Sequence, residues 1–154
     1  MKIGEKAPDF SLPDQQGGIF TLSEALGTSG TVLFFYPKDH SSVCTAEACA
    51  FRDRFAVFKD AGAIVIGISG DSEDSHRSFA NANRLPFPIL SDVGGKVRKL
   101  YQVPKTLGLI PGRVTYVLDG AGMVVGIFND ALKAETHVIQ SLETIAKMGS
   151  TSGS

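Results

Sequence analysis

Thr31-Val32-Leu33-Phe34-Phe35-Tyr36-Pro37 is a continuous apolar run closed by a proline, and Lys38-Asp39-His40-Ser41-Ser42-Val43-Cys44-Thr45-Ala46-Glu47-Ala48-Cys49 follows it directly. An unbroken apolar stretch of this length reads as a strand buried on both faces, inside a sheet covered by helices. Pro37 ends it. From about Ser42 to Lys59 the period changes. Ala48, Phe51, Phe55 and Phe58 recur at three- and four-residue steps, which puts three aromatic rings on one helical face. The strand-to-helix join therefore spans residues 37–44 and delivers the first of only two cysteines to a helix start.

The rest of the chain extends this unit on both sides. Phe10-Ser11-Leu12 and Gly18-Ile19-Phe20-Thr21-Leu22, separated by Pro13-Asp14-Gln15-Gln16-Gly17, predict a small hairpin, and Ser23 is placed to cap a short helix through Leu26. Downstream, Gly62 closes the helical region, and Ala63 to Ser69 predicts a second buried strand. Asp71-Ser72-Glu73-Asp74 opens a helix to about Asn83, with acids at its positive end. Residues 86–90 predict a short strand, Ser91-Asp92 a cap for a helix through Tyr101, and residues 102–113 a loop. Val114–Leu118 and Met123–Phe128, joined by Asp119-Gly120-Ala121-Gly122, predict an antiparallel hairpin, and a final amphipathic helix spans about Ala134 to Met148. This order implies an α/β fold: a mixed sheet flanked by helices, thioredoxin-like with an N-terminal hairpin extension. Periodicity alone is also compatible with a flavodoxin-like sheet. No repeat or linker divides residues 1–148, which read as one domain, and residues 149–154 read as a flexible tail.

With 154 residues the chain can bury a substantial core, roughly 70% of its unfolded surface. It needs neither a disulfide nor a structural metal to fold, which leaves its cysteines available for chemistry. A net charge of −1, without a basic run, gives no electrostatic case for nucleic acid or an anionic membrane. No apolar stretch reaches the roughly 18 residues of a membrane span. Residues 1–6 carry acid as well as base and have the character of neither a signal nor a transit peptide, so the expected location is the cytoplasm. A plastid protein trimmed of its transit peptide would read the same way.

A cysteine where a loop becomes a helix sits near unpaired N–H groups and the positive helix end, which favour thiolate over thiol. The second thiol, five residues on, offers a partner for whatever the first becomes after oxidation. Taken alone, such a pair could equally be two small buried hydrophobes. A metal site would need further ligands, since the three histidines are widely spaced, and a C-x-x-C exchange motif is absent. The glycines form no phosphate-binding motif, so neither metal nor nucleotide cofactor is expected. Arg113 by itself reads as a strand-end charge, His40 as a solvated loop residue, and His76 and His137 as surface residues on helices. Arg52 is left outside the catalytic set.

The spacing Pro37-x-x-x-Ser41-x-x-Cys44, with Cys49 beyond it, resembles the peroxiredoxins and in particular the peroxiredoxin Q, or bacterioferritin comigratory protein, group. Further blocks are similar to that family: residues 4–10, Phe35-Tyr36-Pro37-Lys38-Asp39, Ala48-Cys49-Ala50-Phe51-Arg52-Asp53, residues 65–69, Leu85-Pro86-Phe87 and Pro111-Gly112-Arg113. The resemblance implies a thiol peroxidase. Cys44 would attack a hydroperoxide and become a sulfenic acid, Arg113 and the Ser41 hydroxyl would hold thiolate and peroxide, and Pro37 would shield the site. Cys49 would resolve the sulfenic acid as an intramolecular disulfide, recycled by thioredoxin or glutaredoxin, in a monomer. On a regular helix, Cα atoms five apart are separated by about 8.7 Å. A disulfide needs less than about 7 Å, so such a bond requires the helix to unwind. Two positions depart from the family pattern. Ser41 replaces the commoner Thr and loses its rotamer-restricting methyl, and Ser42 stands where Pro is frequent. A redox sensor, oxidised once and read by a partner, is the alternative to an enzyme.

Overall fold

The computed structural model describes residues 2–26, 30–103, 105–106, 110–111, 114–128 and 134–152. In chain order these form β1 (Ser11–Pro13), β2 (Ile19–Thr21), α1 (Leu22–Ala25), β3 (Gly30–Phe35), α2 (Ser42–Asp53) and α3 (Phe55–Asp60). They continue with β4 (Ala63–Ser69), α4 (Glu73–Asn83), β5 (Ile89–Ser91), α5 (Lys96–Leu100), β6 (Lys105–Thr106) and β7 (Ile110–Pro111). The last three are β8 (Val114–Leu118), β9 (Val124–Phe128) and α6 (Ala134–Ser152). The main sheet runs β5-β4-β3-β8-β9, with β3 at its centre. β3 is parallel to β4 and antiparallel to β8, and β8 is antiparallel to β9. Two antiparallel strands on one side suit the thioredoxin-like arrangement and not a flavodoxin-like sheet, which is parallel throughout. β1 and β2 pair as the N-terminal hairpin.

The alternation of β3 divides the core. Val32, Phe34 and Tyr36 face one layer with Ala48, Phe51, Phe58, Phe79 and Val138 from the helices. Leu33 and Phe35 face the other, with Val97, Tyr101, Tyr116 and the N-terminal Phe10. Phe34 stacks on Phe51 with ring centroids 4.7 Å apart. It fits because β4 carries a glycine beneath it: a Cβ on Gly67 would lie 2.8 Å from Phe34 Cζ. That close approach fixes the ring on which α2 rests.

Several sequence-based boundaries change. The helix expected over 42–59 breaks at Arg54 (φ −110°, ψ 12°), although Phe51 and Phe58 are buried on either side with rings 5.7 Å apart. Ser23 does not cap α1, because Asp9 Oδ1 accepts from the N–H groups of Phe10 and Ser23 and ties that helix to the incoming chain. Asp92 does cap α5, but from a distance, its two oxygens accepting from Val97 N and Arg98 N. The segment 102–113 includes the paired β6 and β7, and α6 continues past Met148 to Ser152. α4 opens within Asp71-Ser72-Glu73-Asp74 as expected, with Ser72 as its cap, accepting from Ser75 N.

Candidate active site

β3 ends between β4 and β8, and the chain leaves its carboxyl end through Tyr36 and the half-buried Pro37. The Tyr36 N–H continues the sheet by donating to Ile68 O at 3.0 Å. Four residues after Pro37, Ser41 is the N-cap of α2, and Cys44 is the third residue of that helix. Cys44 is buried in one cluster with Tyr36, Ala48, Phe51 and Phe79. The N–H groups of this first turn have no intrahelical acceptor, which is the local environment a thiolate needs.

The loop from 37 to 41 is held by buried polar groups rather than by its own backbone. Asp39 accepts from Tyr36 Oη at 2.6 Å and Ser75 Oγ at 2.8 Å, and its Oδ2 lies 2.6 Å from His76 Nδ1. Asp71 Oδ2 accepts from Asp39 N at 2.8 Å and from Ser69 Oγ at 2.6 Å. The far ring nitrogen of His76 meets Leu90 O at 2.9 Å, so that ring spans from the loop to β5. Burial works to raise the Asp39 pKa, but hydrogen bonds from His76, Tyr36 and Ser75 with the His76 charge outweigh it, and the carboxyl lies below its ordinary range. Burial, then the Asp39 charge, push the Tyr36 phenol well up, which keeps it a neutral donor. Asp39, Asp71 and His76 have ligand-type atoms within 4.8 Å of one another, yet those atoms are already engaged in this network. His40 then takes a left-handed φ of 65° and packs edge-on to Phe79 at 5.3 Å. His76 is fully buried, which corrects its reading as a surface residue: its partner Asp39 comes from a distant loop.

Of the residues named from sequence, Pro37, Ser41, Cys44 and Cys49 are gathered along this loop and helix. The Ser41 hydroxyl donates to Lys38 O at 3.1 Å instead of capping α2. Cys49 is partly exposed on α2 and its Sγ lies 3.6 Å from Asn83 Oδ1, beside the end of α4. Neither cysteine is in a disulfide. Arg52, outside the catalytic set from the start, bridges Asp53 and Asn83 O. Arg113 lies outside the described residues. Its neighbour Val114 pairs with Phe35, at the strand end from which the Cys44 loop departs.

Two groups escaped the sequence reading. Arg98 is buried, and its Nη2 donates to Tyr36 O at 2.9 Å. Burial lowers its pKa, opposed by the charges of Asp92, Asp71 and Cys44. Within Lys96-Val97-Arg98-Lys99 the only hint is that position 98 adjoins the buried Val97 and Tyr101 on a helical face. The second is Glu47, fully buried between the two cysteines, with Oε2 3.5 Å from His137 Nδ1 of α6. That nitrogen is also 2.7 Å from Thr115 Oγ1 of β8, so His137 is a core residue and not the surface residue its helix suggested.

Comparisons with known proteins show the family of the chain. The AhpC/TSA family model matches residues 3–127. Peroxiredoxin Q of Sedum lineare chloroplasts is 47% identical over 146 residues, 94% of this chain and 78% of the relative. The chloroplastic peroxiredoxin Q of Triticum aestivum is 49% identical over 146 residues, 94% of this chain and 67% of the relative. Among solved structures, peroxidoxin BcpB of Mycobacterium tuberculosis superposes with a TM-score of 0.88 at 35% identity, covering 96% of this chain and 97% of the other. The bacterioferritin comigratory protein of Xanthomonas campestris, described with reference to alkyl peroxide reduction, gives 0.83 at 28% identity over 91% and 92%. A family model matched over residues 3–127, relatives at 47% and 49% identity, and a fold shared with solved structures over 96% and 91% of its length make this chain a member of the AhpC/TSA family, in the peroxiredoxin Q group of thiol peroxidases.

Proposed function

We propose that the chain reduces hydroperoxides with Cys44 and resolves the product with Cys49. The observation that carries this reading is the position of Cys44 in the first turn of α2, buried at the carboxyl end of the central strand. The thiolate sulfur attacks the terminal oxygen of ROOH and the O–O bond breaks. RO⁻ leaves as ROH once protonated, and Cys44 becomes a sulfenic acid. Charge spreads over sulfur and both oxygens as that bond stretches. The α2 N–H groups, the Ser41 hydroxyl and Arg113 are assigned to stabilise it more than the ground state. Pro37 contributes no N–H donor of its own and limits water at the loop. The Cys49 thiol then attacks the sulfenic sulfur, expelling water and forming the Cys44–Cys49 bond, and a thioredoxin-type dithiol reduces it by exchange.

Both cysteines lie on one helix, so resolution requires no second subunit and a monomer suffices. The two plant relatives cited are chloroplastic and support a plastid as the working location, whereas the two solved structures cited come from bacteria. Peroxide-dependent turnover with a thioredoxin and its reductase tests the assignment. Catalytic consumption lost in Cys44→Ser supports it. Stoichiometric oxidation of wild-type protein without recycling would point to a sensor instead.

A further inference from the structure

We infer that Arg98 is a positioning residue of the Cys44 site: it fixes the carboxyl end of β3 through Tyr36 and supplies a second positive charge toward the sulfur. The inference rests on Cys44 being the residue that attacks peroxide. A buried guanidinium is costly unless something anionic compensates it. Among the described residues, no carboxylate lies within ion-pair distance of Arg98. Asp92, the nearest in sequence, has its two oxygens occupied by the Val97 and Arg98 backbone N–H groups. The sole described hydrogen bond of the Arg98 side chain is the 2.9 Å donation to Tyr36 O. Tyr36 and Cys44 belong to one buried cluster, and the negative charges that act on this guanidinium are those of Asp92 first, then Asp71, then Cys44.

The other charged and titratable groups around the loop do not replace it. Asp39 is satisfied by Tyr36, Ser75 and His76, and Asp71 by Asp39 N and Ser69. His40 is exposed and turned against Phe79. Arg113, outside the described residues, is the cation expected from sequence. Arg98 arrives from a different element, α5, whose position is set by the Asp92 cap. A planar cation held by a backbone carbonyl keeps donors in a fixed fork, and in a dry site such a charge acts at full strength as the thiolate reacts.

The test separates charge from scaffolding. Arg98→Gln keeps a donor for Tyr36 O but loses the charge, whereas Arg98→Lys keeps the charge. Sulfenic acid formation at Cys44 is timed by quench and mass spectrometry in a Cys49→Ser background, because the chain has no Trp for fluorescence. The ultraviolet thiolate absorbance is read at fixed pH alongside. Arg98→Gln slows the step about tenfold or more and lowers the thiolate absorbance, and Arg98→Lys stays within about threefold of wild type. A rate for Arg98→Gln equal to wild type overturns the inference. So do equal losses in both variants with unchanged thiolate absorbance, which mean a clamp and no charge effect. If Arg98→Gln fails to fold, Arg98→Lys decides alone, and a loss beyond about tenfold sinks the idea. Residual peroxidase activity in Cys44→Ser would instead defeat the underlying assignment.

Discussion

Replacing Glu47 with Gln should destabilise the reduced protein and leave the disulfide form almost untouched. Glu47 and His137 are both fully buried, with Oε2 and Nδ1 3.5 Å apart. With His137 protonated, the gross attraction at that distance is about 5 kcal/mol at an effective dielectric of 20, most of it offset by desolvation. Gln keeps the volume and a polar end but removes the charge, and the net loss is about 2 kcal/mol. For a domain of this size that corresponds to a fall in Tm of about 4–8 °C. The α2 helix holds both cysteines at a helical separation of about 8.7 Å, beyond the reach of a disulfide. Bond formation must therefore unwind the turn in which Glu47 sits, and the contact with α6 is absent from the oxidised form whichever residue is present. The variant thus favours the disulfide by the same energy, making the two-electron reduction potential more negative by about 40 mV. Thermal melts of both redox forms, a thiol–disulfide titration and hydrogen exchange over residues 42–50 measure this. Equal Tm losses in the two forms, an unmoved potential and unchanged protection of those amides would show that α2 stays folded around Glu47, and the reasoning would fail.

Asp39 gives a prediction in pH. Its folded carboxyl lies below its ordinary 3.8, so as pH falls the unfolded chain takes up the proton first. The stabilisation is complete above about pH 5 and is lost as pH drops through the folded value. Asp39→Asn should lower stability at neutral pH by about 2–4 kcal/mol and flatten the acid limb of a denaturation-midpoint profile, and an identical limb in the variant would count against the network. Gly67→Ala should cost about 1–3 kcal/mol in urea unfolding, because its Cβ meets the Phe34 ring at 2.8 Å. Cys49→Ser should form the sulfenic acid once, turn over poorly with thioredoxin and overoxidise more readily by mass spectrometry. Unchanged steady-state turnover would remove Cys49 from the resolving step.

The central strand, the Cys44 loop and the terminal hairpin were legible because each is encoded locally. β3 is an unbroken apolar run, Pro37 stops it, and Asp119-Gly120-Ala121-Gly122 turns β8 into β9. Long-range partners were not. His76 looks like any helical histidine until Asp39, 37 residues earlier, folds against it. His137 becomes a core residue only when α6 packs on α2 and β8. The break at Arg54 carries no Gly or Pro to announce it, and the aromatic period passes straight through. Arg98 stood among lysines of the same charge, and only the packing of α5 decides which of them is buried. For the thiol site the family spacing supplied what local patterns lacked.

The two helices that flank the loop show why α2, and not a sturdier element, carries the cysteines. α4 begins with a Ser72 side-chain cap and two acids, Glu73 and Asp74, in its first turn. Those features stabilise a helix start by about 1 kcal/mol for the cap and a few tenths for each acid. α2 has neither: its N-cap Ser41 makes no side-chain cap bond, and no acid occupies its first turn. An uncapped, acid-free start leaves the N–H groups available to a thiolate or a bound oxygen, which a capping carboxylate would compete for and repel. The same omission lowers the cost of opening that turn. Burial of Cys44, Ala48 and Phe51 and the Glu47–His137 contact then hold the helix closed from its far side. Tertiary packing therefore stabilises the reduced helix where local capping is missing, and an opening that breaks this packing removes most of what keeps α2 folded. Adding a cap at position 41 or an acid at 42 would strengthen the helix and, by this reasoning, weaken both reactions it serves.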